Sequence, residues 1–249
     1  MTYNTLGIIL SYRDIGEYDR IYNILTLEHG KVDAWAQGVR KPKSKLVAHL
    51  QPLYVCDFMF ARGRRFDRIA QVCIQNRYAG LWSDLEKLSK AVYVASLVEL
   101  VLRPGTKERA VFELLQMALS LLEKGDGALE IMFALKLLKE TGFAPELNFC
   151  VLCKNRVEGL ARQFDAIRGG VLCQDCFIKA GAEAMPVSSL TLETMETILI
   201  NPLAGLEIPR TLILEMRRII SAMIVAHFGE EPKSRGFMDI MMQTPLSIA

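Results

Sequence analysis

The sequence predicts an α+β protein, with a five-stranded β-barrel at the N-terminus and then an α-helical domain that carries a four-cysteine metal module. Three observations support this fold class. Five β-rich runs precede residue 80, leucines recur at helical spacing after Leu81, and two Cys-x-x-Cys pairs lie 19 residues apart. A chain of 249 residues with 51% hydrophobic residues and a net charge of +2 can bury a sizeable core, which excludes a disordered protein.

The β-rich runs are bounded by turn residues and contain no long helical pattern. They cover residues 4–13, 18–25, 31–39, 50–60 and 66–77. In the second run neither face is cleanly polar, which fits a strand of a small closed barrel. Five short strands in fewer than 80 residues are typical of an OB-fold, a small barrel that often binds oligonucleotides, and we assign it to residues 1–79.

Helical periodicity begins at Leu81 and continues in segments to the C-terminus. The predicted helices run from 81 to just before Pro104, then over 107–124, 127–141, 188 or 189 to 199, 209–228 and 233–241. Glycine at 125, 142 and 229 supplies the helix stops, because it adopts left-handed backbone conformations easily. Residues 80–249 are therefore predicted to form the helical domain.

Four cysteines form the most specific motif in the chain. Cys150, Cys153, Cys173 and Cys176 match the C-x2-C-x15–20-C-x2-C pattern of zinc sites, in a module at about residues 147–182. Thiolates suit Zn2+, and four protein ligands leave no open coordination position, so we expect a structural zinc ribbon. Four ordinary buried cysteines or a disulfide pair are the alternatives. Cys56 and Cys73 are predicted to be small core residues of the barrel.

Positive charge is concentrated in the first third of the chain. Residues 1–80 carry 12 Lys/Arg and 7 Asp/Glu, whereas residues 81–249 are net negative, and half of the aromatic residues precede residue 81. Such a module predicts a nucleic-acid or anion surface, with a solvated basic face as the alternative. The candidate DNA-binding residues are Lys31, Trp35, Arg40, Lys41, Lys43, Lys45, Arg62, Arg64 and Arg65. Phe66 is assigned to the barrel core rather than to a stacking role.

No catalytic constellation is recognisable. The sequence lacks the phosphate-binding loop, the dinucleotide fingerprint, the G-x-S-x-G elbow and H-E-x-x-H, and its three histidines have no obvious partner. We therefore predict a binding protein without a small-molecule substrate. No uncharged apolar run reaches the ~18 residues of a membrane span, and no signal peptide is recognisable, so we expect a cytoplasmic protein.

Several segments of the sequence match one known family in their order and spacing. These are Gly16–Asp19, Thr26–Lys31, Gly38–Ser44, the cysteine segments LKLLKETGFAPELNFCVLC and GGVLCQDC, His227–Gly229 and Lys233–Arg235. Through these segments the sequence resembles, over nearly its full length, the RecO family of bacterial recombination-mediator and DNA-repair proteins. The resemblance implies an OB-fold, a helical domain and a zinc module that only some members retain.

The resemblance also implies a function. A RecO-like protein would bind single- and double-stranded DNA, anneal complementary strands, and act with RecR to load RecA onto strands coated by single-strand-binding protein. The helical domain would capture the acidic C-terminal tail of that coating protein. Because residues 81–249 are net negative, only local patches such as Arg217–Arg218 are expected to add DNA contacts there. An RNA-binding protein and an adaptor for acidic peptides are the rival predictions.

Overall fold

The computed structural model describes residues 1–105, 108–125, 127–157, 161–180 and 183–243. Within them the chain forms two compact units, which are treated separately below. The first comprises the chain up to Gly125 and the segment from Pro232 onward, and the second is the stretch between them, ending at Glu231. The predicted domain boundary at residue 79 stays a prediction.

The first unit contains a closed barrel of five strands, which confirms the predicted OB-fold architecture. The strands are β1 (Thr2–Ile15), β2 (Asp19–Thr26), β3 (Gly30–Ala36), β4 (Val55–Ala61) and β5 (Asp67–Asn76). They close in the order β1-β2-β3-β5-β4, with only β3 and β5 parallel. β1 is longer than predicted because its first half pairs with β4 and its second half with β2, across a register shift after Ile9.

The barrel core is filled by the inward side chains of all five strands. Tyr22, Ile24, Phe58 and Phe60 are at most 1% exposed, and a single 3-10 turn, Val47–His49, lies in the connection from β3 to β4. β4 begins later than predicted, because Pro52 donates no backbone hydrogen bond and Leu53 has a left-handed backbone. Cys56 is buried as expected, but Cys73 is exposed on β5, so its assignment to the core was wrong.

Four helices complete the first unit. They are α1 (Ala79–Trp82), α2 (Leu85–Val101), α3 (Arg109–Lys124) and α8 (Ser234–Gln243). The predicted helix from Leu81 is broken, since the Asp84 carboxylate caps a new helix by accepting from the N–H groups of Glu86 and Lys87. α8 returns to this unit and packs on α2, where Arg235 lies over the Tyr93 ring.

The second unit combines helices with a small sheet. It contains α4 (Leu129–Glu140), β6 (Ala161–Asp165), β7 (Gly170–Leu172), α5 (Gln174–Ala180), β8 (Met185–Ser188), α6 (Ser189–Ile200) and α7 (Arg210–Phe228). The sheet order is β7-β6-β8. The four-cysteine module is inserted between α4 and α6, as predicted, whereas α5 and β8 were not predicted. No helix in the described ranges is long and apolar enough to cross a bilayer.

Candidate metal centre and nucleic-acid surface

The four predicted cysteine ligands meet in one cluster in the second unit. The Sγ atoms of Cys150, Cys153, Cys173 and Cys176 all lie within 4.8 Å of one another. A tetrahedral zinc site with Zn–S bonds of about 2.3 Å has sulfur–sulfur edges of about 3.8 Å. The Cys153 and Cys173 sulfurs are 3.7 Å apart, so the donor set fits one tetrahedral metal ion.

The first pair of ligands sits in a tight hairpin. The N–H of Cys150 donates to the Asn155 carbonyl at 2.8 Å, and the N–H of Lys154 donates back to the Cys150 carbonyl at 2.9 Å. Lys154 takes a left-handed backbone with φ of 62°, which turns the chain sharply after Cys153. This geometry directs both thiols of the pair to the same side.

A close backbone approach joins this hairpin to the second pair of ligands. The N–H of Val171 donates to the Glu146 carbonyl, and the N–H of Val151 donates to the Val171 carbonyl at 3.0 Å. At Gly170 a Cβ atom would lie 2.6 Å from the Glu146 oxygen, so only glycine fits there. α5 then begins at Gln174, between the ligands Cys173 and Cys176.

The electrostatics of the cluster favour thiolate at the buried ligand. Burial raises the pKa of the Cys150 thiol, but the N–H groups of Cys153, Cys173 and Leu152 outweigh it and lower this pKa to about 6. The hydrogen bond to Cys173, together with burial, raises the pKa of Cys176 to about 12. The protein alone therefore stabilises negative charge unevenly, and a bound cation would remove the remaining thiol protons.

On the barrel, four paired residues form a row on the side of the sheet that points away from the core, although one of them, Ile21, is covered and only 3% exposed. Arg13 pairs with Ile21, Ile21 with Trp35, and Trp35 with Arg68, so the row crosses β1, β2, β3 and β5. Directly paired residues point to the same face of a sheet, and the inward positions belong to neighbours such as Tyr22 and Ala34. Arg68 therefore lies beside Trp35 on the outside of the barrel, whereas the buried Ile21 separates Trp35 from the exposed Arg13.

The loop between β4 and β5 adds a cationic and aromatic group to this row. The guanidinium groups of Arg13 and Arg65 lie over the Phe66 ring, 5.8 and 5.2 Å from its centroid. Arg62 covers the Tyr3 ring at 5.0 Å, and Arg64 is exposed. Phe66 is half-buried in this loop and is absent from the core cluster, so its predicted core position was wrong.

The basic segment after β3 lies at the same end of the barrel. Arg40 pairs with Asp14 at 3.3 Å, and Lys41 lies over the Tyr18 ring. Lys43 and Lys45 are exposed. Because Asp14 adjoins Arg13, the end of β1 lies between the two basic clusters, which are some twenty positions apart in the sequence.

Two of the predicted DNA-binding residues have structural roles. Trp35 donates its ring N–H to Asp19 at 3.0 Å, which fixes the indole against the barrel while leaving it part-exposed. Lys31 is only 7% exposed, and its ammonium donates to the Glu99 carbonyl near the end of α2. Lys31 is thus held inside the first unit, and its assignment to a DNA surface is not supported.

Arg13 and Arg68 are functional candidates that the sequence reasoning missed. Neither lies in the basic segments at residues 40–45 and 62–65. The signal that would have found them is strand register, because both occupy the outward row of Trp35. Conversely, Arg217 and Arg218 do not form a free patch. Arg217 pairs with the buried Glu130 at 2.9 Å, and Arg218 donates to the Pro186 carbonyl.

These features together define a class of protein. An OB barrel with exposed cations on its loops, followed by helices and a four-cysteine module, is the architecture of a binding protein for charged polymers.

Comparison with known proteins narrows the class to one family. The family model described as "Recombination protein O N terminal" matches residues 1–78, and "Recombination protein O C terminal" matches residues 82–236. The chain is 36% identical over 228 residues to the DNA repair protein RecO of Rubrobacter xylanophilus, covering 90% of this chain and 92% of the relative. The chain therefore belongs to the RecO family of DNA repair proteins.

Further relatives bear the same name. The RecO protein of Pelotomaculum thermopropionicum is 33% identical over 98% of this chain and 96% of its own length. That of Moorella thermoacetica is 32% identical over 94% of this chain and 89% of its own length. Each of these relatives is named as a DNA repair protein.

Proposed function

We propose that this protein binds single- and double-stranded DNA at the barrel end where its two basic loops meet, and that it anneals complementary strands there. The supporting observation is that the exposed Arg13 and Arg65 lie over the half-buried Phe66 ring, near the row through Trp35. In OB-folds the face of strands 2 and 3, with the β1–β2 and β4–β5 loops, is the region that takes up oligonucleotides. Where guanidinium groups lie over an aromatic ring, the guanidinium groups can contact phosphate and the ring can stack on an unpaired base.

Family membership supports our proposal of a wider role. Together with RecR, the protein would load RecA onto strands coated by single-strand-binding protein, and the helical domain would bind the acidic tail of that coating protein. Such a role places it at the nucleoid. Cys150, Cys153, Cys173 and Cys176 would hold a structural Zn2+, since four thiolates at these spacings suit zinc and leave no position for a substrate.

The first test measures DNA binding against salt. If about four to six phosphates are contacted, log K for a single strand falls with log salt at a slope of about −3 to −4. Changing Lys41, Lys43 and Lys45 to alanine should weaken binding for all sequences and reduce the slope by about 2, because three phosphate contacts are lost. Fluorescence anisotropy of a labelled oligomer gives both quantities.

A matched control variant removes the same number of positive charges at positions outside the barrel. Lys124, Arg210 and Lys233 are exposed and lie outside β1–β5, so their triple alanine variant should retain the wild-type slope. An unchanged slope in the Lys41/Lys43/Lys45 variant would contradict this binding surface. Preference for structured RNA over single-stranded DNA would contradict the DNA-repair role.

A further inference from the structure

The first cysteine hairpin, residues 148–157, presents an unusual set of side chains to solvent. Phe149 is 46% exposed and Leu152 is 41% exposed, although large apolar residues are normally covered. Lys154 and Arg156 are exposed beside them. These four residues are named the knuckle face.

The hairpin holds the knuckle face in a fixed arrangement. Phe149 and Arg156 are bridged across the hairpin, and the N–H of Val157 donates to the Asn148 carbonyl at 2.9 Å. The thiols of Cys150 and Cys153 belong to the metal cluster at its base. Phe149 and Arg156 are therefore neighbours on a rigid support, and binding there would cost little ordering entropy.

Charge on this hairpin is uniformly positive. No Asp or Glu occurs between residues 147 and 157, although residues 81–249 as a whole are net negative. One carboxylate flanks the hairpin on each side in the sequence: Glu146, which accepts from the N–H groups of Asn148 and Phe149 and is thereby directed to the backbone, and Glu158, which lies outside the described residues. Across the cluster, Asp175 and Lys179 on α5 are both exposed and offset each other.

We infer that the knuckle face is a second binding site for single-stranded nucleic acid. Phe149 would stack on an unpaired base, and Lys154 and Arg156 would contact the adjoining phosphates. The positive charge complements a phosphate backbone, and an aromatic ring beside an arginine is a platform for bases. This inference rests on the proposed function and extends it: a protein with two strand sites can hold two strands at once and so bring them together for annealing.

The test uses full-length, metal-loaded protein and a labelled oligomer of twenty thymidines. Phe149→Ala should weaken binding about five-fold or more, since one stacked base contributes at least ~1 kcal/mol. Lys154→Asn with Arg156→Gln should reduce the salt slope by about 1, because two phosphate contacts are lost. Asparagine tolerates the left-handed backbone at position 154, so the hairpin is preserved.

Controls separate the two sites. Bound metal, measured on each variant, should equal that of the wild type and so exclude loss of the fold. Lys124→Gln with Lys233→Gln removes the same charge elsewhere and should leave the slope unchanged. In the Lys41/Lys43/Lys45 alanine background, the residual DNA binding should fall further when the knuckle changes are added.

Each alternative outcome has a distinct meaning. If the wild type binds the oligomer and both knuckle variants keep its affinity and salt slope, the inference of a knuckle site is overturned. The proposed binding by the barrel is not affected by that result. If the wild-type protein binds no oligomer at low salt, the proposed function itself fails. Variants that keep DNA affinity but lose affinity for a glutamate-rich, leucine-containing peptide would make the knuckle face a protein-binding surface and overturn the inference.

Discussion

At the scale of single residues, two cations of the barrel, Lys31 on β3 and Arg68 on β5, have different roles. Lys31 lies near the start of β3, where its ammonium is buried against the end of α2, and this burial lowers its pKa. Arg68, paired with Trp35 farther along β3, stays exposed. The sequence shows both only as cations in a basic segment. Their roles differ because α2 covers one part of the barrel and leaves the other open.

Lys31→Ala should therefore lower stability rather than DNA affinity. The substitution removes a buried side chain and leaves the Glu99 carbonyl without this donor, at an expected cost of about 1–3 kcal/mol in the free energy of unfolding. Urea denaturation measures this cost, with the exposed Lys45→Ala as the control that should change by less than ~0.5 kcal/mol. A stable Lys31→Ala protein with a reduced salt slope would restore Lys31 to the DNA surface.

At the scale of elements, local sequence signals located the strands and the long helices. Gly125 and Gly229 end α3 and α7 with left-handed backbones, and Ser188 caps α6, as their positions in the sequence predict. The break between α1 and α2 was missed because Leu81 and Leu85 continue one helical pattern, although Asp84 begins a new helix. α5 and β8 were missed because each is short, and β8 forms only by pairing with β6.

Of the two candidate sites, the cysteine cluster could be predicted from the sequence more completely than the barrel surface. The cysteine spacing alone identified all four members of the cluster, because a tetrahedral site restricts both spacing and ligand type. The barrel surface could be predicted only in part. The basic segments at residues 40–45 and 62–65 are visible in the sequence. Arg13 and Phe66 join this surface because the end of β1 meets the loop between β4 and β5, which only the structure shows.

The cysteine element supports a prediction about stability. Cys150→Ser with Cys153→Ser should abolish metal binding and destabilise the second unit by about 3–4 kcal/mol, the stabilisation expected when a metal is present at 100 to 1,000 times its Kd. Thermal denaturation and metal analysis of the full-length variant measure both effects. Cys73→Ser, an exposed position on β5, is the matched control and should melt like the wild type.

A chelator provides the complementary experiment. It should lower the melting temperature of the wild type and leave that of the double-serine variant unchanged, because only the wild type has metal to lose. A double-serine variant that melts at the wild-type temperature would show that no metal stabilises the fold.

At the scale of the whole molecule, the chain leaves the first unit after Gly125, builds the unit that carries the four cysteines, and returns at Pro232 so that α8 packs on α2. Both ends of the insertion thus connect to the unit that carries the barrel. Net charge follows this organisation, since the excess of cations lies in residues 1–80. The net excess of positive charge therefore lies in the part of the chain that forms the barrel, although exposed cations such as Lys124 and Arg210 lie outside it.

This localisation of charge leads to a prediction for strand annealing. Two complementary strands repel each other through their phosphates, and cations that neutralise part of this charge allow approach without any base-specific contact. We expect the protein to accelerate annealing of oligomers of unrelated sequence without ATP, because base pairing supplies the free energy. The rate of energy transfer between donor- and acceptor-labelled complementary strands measures this directly.

The salt dependence of annealing distinguishes this mechanism from simple strand binding. Acceleration should decline as salt rises, and the Lys41/Lys43/Lys45 alanine variant should anneal more slowly than the Lys124/Arg210/Lys233 control, which carries the same net charge. Because the two variants differ only in where the charge is removed, a difference between them assigns annealing to the barrel loops. If wild-type protein leaves annealing as slow as that of free strands, at a salt concentration where both strands are bound, binding and annealing are separate properties and charge neutralisation at this surface is not sufficient.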